Sequence, residues 1–145
     1  MATDKTLIVE KHLEIAATPE QVWDTITNPD LVRQYFFGVN VETDWQPGSE
    51  IIFSGTFEGG SFRDKGIVLE CDPARTLSYS YYSSFSGLED LPENYSMVTY
   101  KLEKKDNRTL LILTQAGFAN ETSLQHADAA WDQVLNGLKK IAENI

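Results

Sequence analysis

The side chains best equipped for chemistry in this chain are aromatics with polar tips. Tyr79, Tyr81 and Tyr100 recur in strand-like alternation, Gln115 lies in another such stretch, and Trp131 falls in a helical repeat. A buried tyrosine hydroxyl, indole N–H or carboxamide requires a partner. Several such tips turned inward are easier to satisfy around a wet or ligand-filled cavity than in a dry core. The pattern fits two readings, a plain aromatic core and the wall of a pocket; as a wall it serves recognition of a small molecule rather than bond-making. Catalytic machinery is sparse by comparison. His12 and His126 lie at opposite ends of the chain, and nothing in the sequence requires them to meet. If chemistry did occur in a cavity, an acid or base would have to stand inside it, and His126 or a tyrosine is the weak candidate. There is no phosphate-binding glycine loop, dinucleotide fingerprint, His-Glu-x-x-His pair or Gly-x-Ser-x-Gly elbow. Cys71 has no second cysteine for a zinc pair and reads as a buried structural residue. Glu89, Asp90 and Glu93 lack the ordered oxygen ligands of a calcium loop and read as a solvated loop. No catalytic residue, metal site or cofactor is expected.

Composition narrows the partners. The chain has 145 residues, with 12 Lys+Arg against 22 Asp+Glu and a formal net charge of −10. Phosphate backbones and anionic membranes demand a positive footprint, so neither nucleic acid nor a membrane is expected as partner. Hydrophobic residues make up 41% and charged residues 23%, as in an ordinary globular protein. A chain of this size buries about 68–70% of its unfolded surface, so residues 1–145 are expected to form one domain without staples. One cysteine allows no intramolecular disulfide, and Met1 to Thr6 lacks the order of a secretory signal. The expected location is therefore cytoplasmic. No apolar run approaches the roughly 18 residues that span a bilayer.

These residues must be positioned by regular elements. Leu7 to Ile15 mixes β-branched residues with charges and reads as a strand. Thr18-Pro19-Glu20-Gln21 is a capping box that starts a helix, with Val22, Trp23 and Ile26 on one face. Asn28-Pro29 stops it and starts a second short helix, Asp30 to about Phe36. From Val39 to Ala116 the period is near two, which predicts strands over 39–45, 49–57, 65–72, 76–82, 95–104 and 108–116. Pro47-Gly48, Gly59-Gly60, Asp72-Pro73 and Asp106-Asn107 mark short turns between them, so an antiparallel meander is expected. Ser83 to Asn94 reads as an exposed loop. From about Thr122 to Asn144, Ala127, Ala130, Trp131, Val134, Leu135, Leu138 and Ile141 recur at helical spacing. The fold class is α+β: a curved seven-stranded antiparallel sheet wrapped around a long C-terminal helix, with two short helices after the first strand.

Strand parity then assembles a candidate wall. Leu77, Tyr79 and Tyr81 share a face, as do Val98, Tyr100 and Leu102, and Leu111, Leu113 and Gln115 align. With Phe53 they are turned toward the helix that carries Trp131 and Leu135. The expected ligand-binding residues are Phe36, Phe53, Tyr79, Tyr81, Tyr100, Gln115, Trp131 and Leu135.

The residues also resemble a known family. Thr18 to Trp23 followed by Thr27-Asn28-Pro29 is similar to the opening of the START-like (SRPBCC, Bet v-like) superfamily. Gly66 to Pro73 with Leu77-Ser78-Tyr79 is similar to its central strand pair. Ser86 to Tyr95, Val98-Thr99-Tyr100, Thr114 to Phe118 and Trp131 to Lys139 narrow the resemblance to the domain family named for the C-terminal part of the activator of the heat-shock-protein-90 ATPase. The resemblance implies the helix-grip fold and, as in many superfamily members, a cavity for a small apolar or aromatic ligand. It also implies two alternatives, a stress- or chaperone-associated interaction module and a cyclase-type enzyme. The full co-chaperone carries an additional N-terminal domain for which this chain has no room, which argues against direct chaperone activation. Fold alone does not choose among these functions.

Overall fold

The computed structural model describes residues 3–57, 59–84 and 86–145. The elements run β1 (Asp4–Ile15), α1 (Pro19–Thr27), α2 (Pro29–Tyr35), β2 (Asn40–Glu42), β3 (Glu50–Phe57), β4 (Gly60–Asp72), β5 (Thr76–Tyr81), β6 (Ser96–Lys105), β7 (Arg108–Phe118) and α3 (Glu121–Ala142). All seven strands form one antiparallel sheet in the order β1-β7-β6-β5-β4-β3-β2. Only the first strand leaves chain order, because α1 and α2 carry the chain to the opposite edge. With α3 against the sheet, this is the helix-grip fold.

Local chemistry sets the helix starts. Thr18 accepts from the Gln21 backbone N–H at 3.1 Å, and the Gln21 side chain accepts from the Thr18 N–H at 2.9 Å. Asn28 closes α1 and caps α2, its Oδ1 taking the Asp30 N–H at 3.0 Å. Asn120 caps α3 through the Ser123 N–H at 2.9 Å, so α3 starts at Glu121 rather than Thr122. Arg108 pairs with Lys105, which leaves a two-residue turn in which Asp106 takes a positive φ of 54°.

Two strands differ most from their sequence outlines. β2 is three residues, not the seven of 39–45, because Trp45 adopts a φ of 61° and Pro47-Gly48 turns the chain. β4 begins at Gly60 instead of residue 65, since Arg63 and Lys65 project outward while Asp64 points in. Within β4 the register slips between Val68 and Glu70. Inward parity therefore passes from Asp64, Gly66 and Val68 to Cys71, which is half-buried rather than buried. Burial raises the Cys71 thiol pKa, and the neighbouring Asp72 charge adds to the effect.

The core lies between the concave sheet face and the helices. Ile15, Val22, Val68, Leu77, Val98, Leu111, Leu113, Val134 and Leu138 are each at most 2% exposed. The inward sets read from parity on β6 and β7 are the buried ones, whereas on β5 Leu77 and Tyr79 are buried, Tyr81 is half-buried and Ser78 is buried as well. Gly66 allows β4 to approach β5, since a Cβ there would stand 1.7 Å from the Ser80 carbonyl oxygen. Among the described residues, no helix is long and apolar enough to cross a membrane.

Candidate functional site

The first half of α3 does not close on the sheet. A cavity of about 510 Å³ lies between them. Its floor is Phe53, Tyr79, Tyr81, Val98 and Gln115, its roof Ala127, Ala130, Trp131 and Val134. Phe36, Phe37 and Val39, just after α2, form one wall. Ser83, Ser86, Leu88 and Asn94 form the opposite one.

Each part is positioned by its element. Alternation on β5 sends Tyr79 and Tyr81 inward, and register places Asp64 of β4 directly opposite Phe53 of β3. The aromatic rings pack edge to face except for the Phe53–Tyr79 pair, which is tilted at 42°. Phe53 lies 5.5 Å from Tyr79 and 5.7 Å from Tyr81, and Trp131 lies 5.8 Å from Phe36 and 6.1 Å from Tyr100, centroid to centroid. Phe37 is 53% exposed at the cavity edge with a φ of 54°. A left-handed backbone is unusual for a bulky residue and concentrates at functional sites.

The polar tips form two networks. Gln115 Oε1 accepts from Trp131 Nε1–H at 2.7 Å, and Gln115 Nε2 donates to Ser96 Oγ at 3.0 Å. The amide that sits poorly in a dry core thus ties β7 to β6 and α3. In the second network Tyr81 donates its hydroxyl to Asp64 Oδ2 at 2.7 Å, while Asp64 Oδ1 accepts from the Ser84 N–H at 2.8 Å and its hydroxyl at 3.0 Å. Burial, and then the Asp64 charge, hold the Tyr81 hydroxyl far above the ordinary tyrosine pKa. Burial does the same to Tyr79 and Tyr100. These hydroxyls are neutral donors and acceptors across the physiological range, not bases.

Six expected residues therefore meet around one space: Phe36, Phe53, Tyr79, Tyr81, Gln115 and Trp131. Tyr100 lies behind Tyr79, its ring 6.4 Å away, and stands outside the large cavity. Leu135 is 4% exposed, on the part of α3 beyond the cavity. Sequence reading missed Asp64, Asn94, Phe37 and Phe62. Asp64 hides between Arg63 and Lys65, and running the inward parity of Val68 back through Gly66 was the signal that would have found it. His126, the weak candidate base, lines the cavity at an exposed position, whereas His12 pairs with Glu10 at 2.8 Å on the surface.

The segment from Ser83 to Asn94 is largely exposed, as its composition indicates, yet it is pinned at several points. Tyr82 donates to the Leu88 carbonyl at 2.7 Å, Lys65 pairs with Asp90 at 2.5 Å, and Pro92–Asn94 make a 3-10 turn that buries Asn94 to 4% exposure. The Lys65 ammonium and the Tyr95 hydroxyl hold Asp90 below the usual carboxylate pKa. Phe85 lies outside the described residues. Among the described residues, no group of three or more His, Cys, Asp or Glu could hold a metal ion.

Comparison with known proteins agrees with this architecture. A Cytophaga hutchinsonii protein solved in solution is 36% identical, with 99% of this chain and 97% of that one covered, at a TM-score of 0.81. An Hsp90 activator from Plasmodium falciparum shares the fold at 20% identity and a TM-score of 0.73, covering 92% of this chain and 94% of its own. The Aha1 dimer from Colwellia psychrerythraea does so at 19% identity and 0.73, covering 94% and 96%. No curated protein matches the chain. The family described as Activator of Hsp90 ATPase homolog 1-like protein matches residues 16–143, and with a helix-grip sheet, a C-terminal α3 and this match over most of its length, the chain belongs to that family.

Proposed function

We propose that the protein binds a small hydrophobic or aromatic molecule, without catalysis, between the sheet and the first half of α3. The observation that carries this reading is the cavity of about 510 Å³ walled by Phe36, Phe53, Tyr79, Tyr81 and Trp131. That volume lies within the range of small-molecule sites. Affinity comes from apolar burial, at about 25 cal/mol per Å², and the Gln115 and Asp64 networks orient polar ends. Asp64 spends its oxygens on Tyr81 and Ser84, which suits a structural carboxylate better than a general base. The single cysteine suits a reducing compartment, the cytoplasm.

Native mass spectrometry of freshly purified protein beside a denatured control tests the reading. An added mass that disappears on denaturation is expected, and Trp131→Ala protein should lose it. A bare mass that no aryl compound can shift overturns it.

One observation favours a chaperone-associated role as a second reading. Ile8, Ala116 and Met97 are cross-strand partners on the outer sheet face, and Ile8 and Met97 are 49% and 47% exposed. Two relatives of the same fold are named as an Hsp90 activator and as Aha1. Unchanged chaperone ATPase turnover at saturating protein would remove this reading.

A further inference from the structure

The sign of the charge around the cavity selects what it attracts. One carboxylate, Asp64, stands in its wall at 6% exposure, and no lysine or arginine lines the cavity among the described residues. Asp64 accepts from the Tyr81 hydroxyl at 2.7 Å, the Ser84 N–H at 2.8 Å and the Ser84 hydroxyl at 3.0 Å. Accepting from every partner is the pattern of an ionised carboxyl group, and all of these donors are neutral. No ion pair among the described residues includes Asp64. Alternation turns its neighbours Arg63 and Lys65 to the outer face, where Lys65 pairs with Asp90 at 2.5 Å. Lys5 lies four strands away in the sheet and donates to the carbonyl oxygens of Glu93 at 3.2 Å and Tyr95 at 2.5 Å.

A buried aspartate is ordinarily paired with a cation. Asp64 faces the cavity instead of a lysine or arginine, so it sets a negative potential there. Two rings reinforce that sign. Phe53 lies directly opposite Asp64 on the neighbouring strand, Tyr81 donates to it, and both line the cavity. Aromatic faces are negative and attract cations. The formal net charge of −10 adds a long-range field of the same sign. Exposed Thr56, Ser86 and His126 on the lining open the cavity to solvent. The attraction is therefore that of a partly hydrated site, and it acts through space without a hydrogen bond to the Asp64 oxygens.

We infer that the ligand is a hydrophobic ammonium ion of the arylalkylamine class, its apolar body against Phe36 and Trp131 and its charge at the Asp64 end, beside Phe53 and Tyr81. This rests on the cavity reading above and specifies its ligand class.

Two naphthalenes with one ring frame, 2-naphthylmethylamine and 2-naphthylmethanol, isolate the charge by titration calorimetry at pH 7, where only the amine is a cation. Salt at about 0.15 M screens the long-range field beyond about 8 Å. We expect the amine to bind about 10-fold more tightly than the alcohol, or about 1.4 kcal/mol. Asp64→Asn keeps the side-chain shape and removes the charge. It should weaken the amine about 10-fold and change the alcohol by less than about 2-fold. Equal affinities in the wild type, or tighter binding of the alcohol, overturn the charge rule and leave the cavity reading standing. A preference that persists undiminished in Asp64→Asn overturns the assignment to Asp64. Failure of both compounds to bind overturns the cavity reading and this inference together. If Asp64→Asn does not fold, the two wild-type affinities decide the charge rule.

Discussion

The two halves of α3 carry one continuous apolar stripe but rest on different surroundings. Toward the C-terminal half, Leu135, Leu138 and Ala142 are buried, and α1 and α2 pack against the helix. Contact is so close that a Cβ on Gly137 would lie 2.8 Å from the Tyr35 Cβ. Toward the N-terminal half, Ser123, His126, Ala127 and Ala130 face about 510 Å³ of space. The same amphipathic pattern serves a solid core at one end and a cavity wall at the other. Amphipathicity tells which face turns inward. Residue size, and the presence or absence of a packing layer, tell whether that inside is filled.

This contrast can be broken by substitution at each end. Leu138→Ala should cost about 2–5 kcal/mol, because a fully buried leucine is removed from a site walled on every side. Chemical denaturation measures it, and a cost below 1 kcal/mol would mean that the solid end is loose. Gly137→Ala should cost about 1–3 kcal/mol by forcing α3 away from Tyr35, read as a lower midpoint at constant m-value. Ala130→Leu points the other way. Added bulk enters space rather than neighbours, so stability should change by less than about 1 kcal/mol while binding of an aryl ligand is lost. Loss of stability as large as at Gly137 would show that the cavity end is as tightly packed as the other.

The smallest expected effect is a pH dependence shared by both ends. Burial raises the pKa of Tyr35, Tyr79, Tyr81 and Tyr100. A raised folded-state pKa means that the neutral form is favoured in the native protein. Its stability is complete below the unfolded tyrosine value of about 10 and is lost as pH rises above it. Melting temperature should hold from pH 7 to 9 and fall beyond about pH 10. Tyr81→Phe should reduce that alkaline slope. A flat profile through pH 11 would contradict buried neutral hydroxyls.

Much of the fold is legible in the residues. The Thr18–Gln21 box, the Asn28-Pro29 boundary, the turns and the alternation on β5, β6 and β7 are local signals, and tertiary packing did not override them. Failures occur where a local signal is ambiguous. Arg63-Asp64-Lys65 reads as a charged strand end, yet alternation sends the middle residue inward and the outer two to solvent. The bulge after Val68 shifts parity by one, which no residue near it announces. Ser83 to Asn94 has the composition of an open loop, and only its hydrogen bonds to Tyr82 and Lys65 fold it against the cavity.

The sequence by itself determined the order of elements, most of their faces and the aromatic, polar-tipped character of the inner surface, because these follow from periodicity and side-chain type. Tertiary structure alone decided that Phe36, Tyr81, Gln115 and Trp131 surround one space while Tyr100 and Leu135 stand behind it. Periodicity fixes direction, but a cavity depends on distances between elements far apart in the chain. Only the curvature of the sheet and the seating of α3 on α1 and α2 set those distances.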